Sequence, residues 1–278
     1  MTVLVVGFDS AWSASNSGAL VGAVRADDGL YQDLGPPQRV DYPEAERTIR
    51  EWQSQQNPDS TVVLLDQPTI VENKSGQRPV ENIVSSPVSR RHGGMQPANT
   101  AKAKMFGKDA PVWRFLARFG GPADPLAPLK GTWVVETYPV LTMIALGWTL
   151  MDPRPGGRLP KYNPRNKNFS IADWRHVCQL TSSALGERRL NRIVQWLDDA
   201  AQFDGPHKHD QDRLDACICL LAALYLVEKR QCLMVGDWDS GYIVVPDSRS
   251  LSEELARRCE QKGRAPSEWV RSFRVSGV

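Results

Sequence analysis

The sequence has few cysteines and no long apolar run, and these absences exclude several classes of protein. Its 278 residues include only five cysteines, none in the C-x-x-C spacing of a zinc or redox site. An odd number of cysteines in apolar surroundings predicts reduced core thiols and a cytoplasmic location rather than disulfides. No window is long enough to span a membrane, and residues 1–6 lack the basic start of a signal peptide. We therefore expect no membrane partner.

Net charge is also low, at +2, but the basic residues are unevenly distributed. Residues 90–118 contain seven Lys or Arg against one acid, and residues 154–175 contain six against one. Basic clusters of this kind favour a phosphate-bearing partner through charge-assisted hydrogen bonds, with a solvated basic loop as the alternative interpretation. The candidates for substrate binding are Arg90, Arg91, Lys102 and Lys104.

Several segments of the first half predict strands of one sheet. Residues 3–10 and the runs TVVLLDQP (61–68) and GTWVVETYP (131–139) are continuously apolar, as expected for strands covered on both faces. Residues 19–25 and about 30–40 predict two more strands. A helix is predicted over about residues 43–55, with Pro43 suited to its first turn.

The remaining segments predict helices around this sheet, within a single domain over residues 1–278. Residues 69–131 are rich in Gly, Pro, Ser and Asn and predict a basic insertion with one or two helices, the clearest at about 110–119. Residues 148–169 predict a Pro/Gly-rich basic loop. We expect further helices at about 140–147, 170–185, 187–202, 209–230 and 251–262, and a hairpin at 232–245.

Each of the three buried strands ends in an acid, namely Asp9, Asp66 and Glu136. A carboxylate at the inner end of a buried strand is costly unless it pairs with a cation or belongs to a site. The apolar helix at 209–230 carries Asp212 and Asp215 three residues apart, which places both on one face near its N-terminus. The alternatives are that these acids form turns, strand ends and a helix cap.

A mixed sheet would bring these acids together if its first strand lay beside the strand that ends in Asp66. Asp9 and Asp66 would then meet at one edge, and a packed helix would add Asp212 and Asp215. So many carboxylates in one place cannot all stay ionised without cations, and oxygen ligands suit Mg²⁺ or Mn²⁺. Two such ions activate water and stabilise the leaving oxygen in phosphodiester hydrolysis.

Five short motifs follow one another along the chain. They are G-x-D-x-A (Gly7, Asp9, Ala11), D-x-P (Asp66, Pro68), E-x-Y-P (Glu136, Tyr138, Pro139), D-x-x-D-A (Asp212, Asp215, Ala216) and G-x-I-x-x-P (Gly241, Ile243, Pro246). In this order they resemble the family called domain of unknown function 429, whose members are predicted to be nucleases of RNase H fold. The resemblance implies an α/β, RNase H-like mixed five-stranded sheet of order 3-2-1-4-5, with flanking helices and an insertion between strands 4 and 5.

The D-x-x-D-A motif also resembles the final helix of Holliday-junction resolvases of the RuvC type. One departure concerns the first helix, where RNase H proper has a glutamate. Here Glu44, Glu46 and Glu51 are equal candidates for that position.

The leading hypothesis is a metal-dependent phosphodiesterase, a nuclease acting on nucleic acid. Asp9, Asp66, Asp212 and Asp215 would bind two ions of Mg²⁺ or Mn²⁺, and Glu136 would be an auxiliary ligand or base. Either His207 or His209 could act as a general base, and the alternative is that both are only polar loop residues. Trp12 is a candidate surface on which a nucleobase would stack.

Two other functions stay open at this stage. One is a non-catalytic nucleic-acid or protein-binding module on a degenerate nuclease scaffold. The other is an ATP-dependent phosphotransferase of the actin and sugar-kinase type, which the absence of a G-x-x-x-x-G-K motif disfavours. The type of nucleic acid and the oligomeric state cannot be read from the residues.

Overall fold

The computed structural model describes residues 1–153 and 156–275, in which a mixed α/β fold is built on a six-stranded sheet. Its strands are β1 (Val3–Asp9), β2 (Gly18–Arg25), β3 (Tyr31–Asp33), β4 (Gln38–Val40), β5 (Ser60–Leu65) and β6 (Gly131–Glu136). Their order is β3-β2-β1-β5-β6, and β4 also pairs with β2. β2 is antiparallel to β1, whereas β5 is parallel to both β1 and β6. The predicted mixed sheet with flanking helices is therefore confirmed.

The sheet has one strand more than the sequence predicts, because the segment predicted as a single strand over residues 30–40 forms two. Between β3 and β4, Gly35 has a positive φ of 128° and is followed by Pro36 and Pro37. A proline has no N–H to donate, and a positive φ turns the chain out of the extended conformation. The two short strands consequently pair with opposite ends of β2.

β1 is buried on both faces because helices cover each side of the sheet. Its side chains alternate, so that Val3 and Val5 join one core while Leu4 and Val6 join the other. The first core includes most of α8 (Lys208–Val227), and the second includes the buried face of α1 (Tyr42–Gln56). Helices on both faces of a sheet explain why its central strands read as continuous apolar runs.

The insertion contains three helices in its described structure, not the one or two that were predicted. They are α2 (Pro79–Arg90), α3 (Ala103–Phe106) and α4 (Pro111–Arg118), of which α4 is the predicted one. α2 begins with Pro79 in its first turn and with Glu81 accepting a hydrogen bond from the Arg78 N–H at 3.0 Å. Its apolar residues face the core, but Pro87 interrupts the pattern and hides the helix from sequence analysis.

The second half of the chain adds helices and a small second sheet. The helices are α5 (Pro139–Ala145), α6 (Ile171–Gly186), α7 (Asn191–Ala200), α8, α9 (Arg249–Gln261) and α10 (Pro266–Trp269), and the strands are β7 (Cys232–Asp237), β8 (Gly241–Pro246) and β9 (Val270–Phe273). The predicted hairpin is confirmed as β7 and β8, and β9 pairs with β7 on its other side. The sequence did not predict α10 or β9.

The predicted loop at residues 148–169 contains neither helix nor strand in its described residues, apart from one isolated bridge between Leu150 and Arg158. Arg154 and Pro155, which the prediction also covered, lie outside the described residues. Over the part of the chain that the structure describes, no helix has both the length and the apolar character needed to cross a membrane.

Candidate active site

The acids predicted from the strand ends lie at one edge of the six-stranded sheet. Asp9 ends β1, Glu136 ends β6, and Asp66 directly follows β5, its N–H donating to the Phe8 carbonyl at 2.9 Å. α8 adds Asp212 and Asp215 from its first two turns. All five carboxylates line one cavity of about 680 Å³. The structure therefore brings together the strand-end acids and the two helical aspartates that the sequence nominated.

A glycine in β1 explains how α8 comes close enough to contribute its acids. A Cβ added to Gly7 would lie far inside van der Waals contact with the Ala216 carbonyl oxygen and the Leu220 nitrogen of α8. Only glycine permits this approach of helix backbone to strand backbone. Because side chains alternate along a strand, Gly7 and Asp9 lie on the same face, which is the face that α8 covers. The contact thus places Asp215 beside Asp9.

Burial and mutual repulsion raise the pKa values of three of these carboxyls. Asp9 and Asp215 are 5% and 4% exposed, and loss of hydration is the largest cause that raises their pKa values. The carboxylates of Asp66 and Asp215 raise the pKa of Asp9 further. The pKa of Asp66 is raised by burial and then by Asp215, while that of Asp215 reaches about 6. Buried carboxylates that repel one another favour a positive charge beside them.

Two hydrogen bonds hold the Asp215 carboxylate in place. The Tyr162 hydroxyl donates to Oδ1 at 2.6 Å, and the Gln211 side-chain amide donates to Oδ2 at 2.7 Å. Both bonds stabilise the charged form and so lower the pKa of Asp215 against the effect of burial. Tyr162 belongs to the loop at 148–169, so this loop supplies a buried contact to the site.

Asp212 has a cationic partner within its own helix. The ammonium of Lys208, four residues earlier on α8, forms an ion pair with Asp212 Oδ1. Burial disfavours the charge of Lys208, but Asp9, Asp212 and Asp215 outweigh that effect and raise its pKa. Lys208 therefore places a positively charged side chain close to Asp9, Asp212 and Asp215.

Glu136 is neutralised by a buried arginine from the insertion. Arg78 donates Nη1 to Glu136 Oε2 at 2.8 Å and Nη2 to Oε1 at 2.6 Å, and its Nε donates to Glu81 at 2.8 Å. All three side chains are almost completely buried. The Thr69 N–H also donates to Glu136 at 3.2 Å. Burial raises the pKa of Glu136, and the Arg78 charge opposes that rise.

The four basic residues predicted to bind substrate do not line this cavity. Arg91 is buried and donates to the carbonyls of Pro87 and Gly156 and to Glu254, and Arg90 also pairs with Glu254. These contacts join the insertion to α9, a packing role that the sequence did not indicate. Substrate binding by Lys102 and Lys104 stays a prediction. The cations on the cavity wall are instead Arg39, Arg78, Arg165 and Lys208.

Trp12 also forms part of the cavity wall, as the sequence suggested. It has a positive φ of 57°, which is unusual for a bulky residue and costs conformational energy. Its indole N–H donates to the Asp66 carbonyl at 2.9 Å, and its ring packs edge-on against Phe106. The strained backbone is thus held by contacts that join Trp12 to the strand carrying Asp66.

The histidines and the α1 glutamates that the sequence suggested lie farther from the centre of the acidic cavity or outside it. His209 lines the cavity, with Nε2 3.4 Å from Asp210, and its ring lies 5.4 Å from that of His207. The three glutamates of α1 are absent from the cavity wall. Glu44 caps its own helix, while Glu46 and Glu51 pair with arginines on the helix surface.

The carboxylate oxygens that line the cavity are of the kind that binds a hard divalent cation. Four aspartates supply the oxygen ligands that Mg²⁺ and Mn²⁺ prefer, and the buried Oε1 of Gln211, beside Asp215, accepts no hydrogen bond from the residues that the structure describes. As they stand, however, no three His, Cys, Asp or Glu side chains among residues 1–153 and 156–275 are close enough together to hold one ion. An ion there would be held by fewer than three of these side chains, or would draw the carboxylates together against their repulsion.

Sequence analysis missed several residues of the site, and Arg78, Tyr162 and Lys208 show different reasons for this. Arg78 lies 58 positions from Glu136 and inside a segment read as irregular. Tyr162 lies in a Pro/Gly-rich stretch without periodicity. Lys208 carried a usable signal, since a lysine four residues before an aspartate on a helix predicts an ion pair.

Comparison with known proteins supports the resemblance noted in the sequence. The model of the family described as "Protein of unknown function (DUF429)" matches residues 7–237, a range that includes Asp9, Asp66, Glu136, Asp212 and Asp215. No curated protein and no solved structure matches the chain significantly. Because the family match covers most of the chain, this protein belongs to the DUF429 family of proteins of unknown function.

Proposed function

We propose that this protein is a metal-dependent phosphodiesterase that hydrolyses nucleic acid, on an RNase H-like scaffold. The observation that supports the proposal most strongly is the convergence of Asp9, Asp66, Asp212 and Asp215 from two parallel strands and one helix in a single cavity. Structural acids pair individually with cations, whereas neighbouring carboxylates raise the pKa values of Asp9 and Asp66. Such perturbed clusters are typical of functional sites.

The sheet topology supports the scaffold part of the proposal. If β3 and β4 are counted as one interrupted strand, the order β3-β2-β1-β5-β6 is compatible with the 3-2-1-4-5 order that the family resemblance implies. The strand that carries Asp9 is then central, and the acid that follows β5 is its neighbour. This arrangement explains why two acids 57 positions apart in the sequence share one cavity.

The four aspartates would hold Mg²⁺ or Mn²⁺, with two ions as the expected number. The ions would activate the attacking water and stabilise the charge of the leaving oxygen. Tyr162 and Gln211 orient Asp215 for this task through their hydrogen bonds. Glu136 would contribute without binding an ion directly, because both of its carboxylate oxygens already accept hydrogen bonds from Arg78 or Thr69.

The cavity wall offers groups that suit a nucleic-acid strand. Arg39 and Arg165 are exposed there and would bind phosphate oxygens. Trp12 and Tyr138 supply aromatic surfaces, and stacking of a base on such a ring tolerates any sequence. A substrate held by phosphate contacts and stacking would be recognised with little sequence specificity.

The proposal is tested by cleavage of a labelled panel of single-stranded and duplex DNA and RNA, a hybrid and a four-way junction. Each substrate is incubated with Mn²⁺, Mg²⁺ or chelator, using the wild type and Asp9→Asn. Arg249→Met, a change to an exposed helix residue outside the cavity, is the matched control. The proposal expects metal-dependent cutting by wild type and control, and loss of cutting in Asp9→Asn. Cutting that survives in chelator, or in Asp9→Asn, contradicts it.

A second function, a nucleic-acid-binding module without catalysis, is favoured by one observation. In the described part of the chain no three His, Cys, Asp or Glu side chains are close enough to hold an ion, and Lys208 already pairs with Asp212. On this interpretation, wild type and Asp9→Asn would bind the same members of the panel and cut none of them. Binding without metal dependence would identify this function.

A further inference from the structure

Lys208 occupies an unexpected place for a lysine, at the first position of α8. The N-terminus of a helix carries a partial positive charge, so a cation there is disfavoured by the helix itself. The helix start is already stabilised by Asp210, whose carboxylate accepts from the His207 N–H at 2.9 Å. Helical spacing explains the ion pair of Lys208 with Asp212, but that pair lies in the cavity, so the role of Lys208 has to be sought there.

The ammonium of Lys208 is surrounded by the predicted metal ligands. It forms an ion pair with Asp212, and it interacts electrostatically with Asp9 and Asp215. The other cations of the cavity wall differ in this respect: Arg78 pairs with Glu81 and Glu136, and Arg39 donates to Ser17. Among the described residues, Lys208 is the cation of the wall that forms an ion pair with one of the four aspartates.

We infer that Lys208 is a built-in competitor of the metal, holding the carboxylates while no divalent ion is bound and setting the ion concentration at which the site fills. The inference rests on the proposed function, since it concerns the same four aspartates. An ammonium and a divalent cation repel each other, so binding of an ion at Asp212 is opposed as long as Lys208 holds that carboxylate. The Lys208 side chain is 33% exposed, which leaves it room to turn towards solvent.

The inference is tested by titrating Mn²⁺ alone into wild type and Lys208→Met by isothermal calorimetry, together with thermal unfolding in chelator. Without the lysine, Mn²⁺ is expected to bind more tightly, on the order of tenfold, because the repulsion between the ammonium and the ion is removed. In chelator the variant is expected to unfold at a lower temperature than wild type, because the carboxylates then repel one another without compensation. Saturating Mn²⁺ is expected to remove that difference.

Two further variants separate this effect from general changes of charge or folding. Lys130→Met removes an exposed lysine that does not line the cavity, and its Mn²⁺ affinity is expected to equal that of wild type. Lys208→Arg keeps the positive charge and is expected to retain the weak wild-type affinity. If Lys208→Met does not fold, Lys208→Gln is titrated in its place, with the same tightening expected.

The outcomes distinguish this inference from the proposed function. Equal or weaker Mn²⁺ binding by Lys208→Met or Lys208→Gln, with wild type still binding and cleaving, overturns the role of Lys208 alone. If neither wild type nor variant binds Mn²⁺, the metal site itself is wrong and both proposals fall. A tightening that Lys130→Met shows equally would also overturn the inference, because it would reflect net charge only.

Discussion

Replacing Arg78 by Met is expected to destabilise the protein strongly. The guanidinium is 1% exposed and pairs with Glu81 and Glu136, which are equally buried. Removing one partner of a buried ion pair leaves an uncompensated charge and costs about 3–5 kcal/mol. At roughly 2 °C per kcal/mol for a large domain, this corresponds to a fall in Tm of roughly 6–10 °C.

The loss of stability in Arg78→Met is also expected to depend on pH and to be smaller in acid. Burial already raises the pKa of Glu136 above its usual value of 4.5, and the Arg78 charge opposes that rise. Without Arg78 the pKa of Glu136 rises further, so the carboxyl takes up a proton more readily in the folded protein. The penalty is then largest at neutral pH and shrinks as the pH falls towards 5.

The assay is thermal unfolding of wild type, Arg78→Met and Arg78→Met/Glu136→Met in chelator at pH 7.5 and pH 5. The double variant is expected to recover the part of the loss that is due to Glu136, since it leaves no unpaired charge there, whereas Glu81 still lacks its arginine. Arg249→Met is the control, because its ion pair with Glu253 is solvent-exposed and contributes little. A single variant as stable as the control, or a loss independent of pH, would refute the reasoning.

Three further predictions concern the placement and charge of the acids. Gly7→Ala should destabilise the protein by about 1–3 kcal/mol in denaturant titrations because its Cβ meets the α8 backbone, whereas Gly205→Ala, with open space around it, should not. Tyr162→Phe removes a bond that lowers the pKa of Asp215, so calorimetry should show Mn²⁺ affinity falling at pH 6 more than at pH 8. In chelator, protonated Asp215 favours the folded state below its usual pKa of 3.8, and this contribution is lost as pH rises through about 6. Tm should therefore fall over that range less steeply in Asp215→Asn than in wild type.

The acids of the site were predictable because each lies next to a strong local signal. Asp9, Asp66 and Glu136 end runs of apolar residues that are recognisable as buried strands, and parallel strands bring their ends to one edge. The helix carrying Asp212 and Asp215 was recognisable from its long apolar run. Local sequence patterns were sufficient to predict the strands and the helix whose positions depend on burial of apolar residues.

The partners of these acids were not predictable, because they come from segments without periodicity. Arg78 and Tyr162 reach Glu136 and Asp215 from stretches rich in Gly and Pro, over separations of 58 and 53 positions. Basic composition suggested Arg90 and Arg91 as substrate ligands, but charge alone does not reveal that Glu254 would pair with both. Which distant charged residues form ion pairs depends on how the elements of the fold pack together. A single sequence contains no local pattern that reveals this packing.

The most direct test of the central claim is cleavage of the preferred substrate with sulfur in place of one non-bridging oxygen of the scissile phosphate. Sulfur is a soft ligand that binds Mg²⁺ poorly and Mn²⁺ better. If ions held by the four aspartates contact the phosphate, the substitution should slow cleavage in Mg²⁺ for one stereoisomer, and Mn²⁺ should restore the rate. Equal rates for oxygen and sulfur substrates in both metals, or cleavage that continues in chelator, would contradict the account.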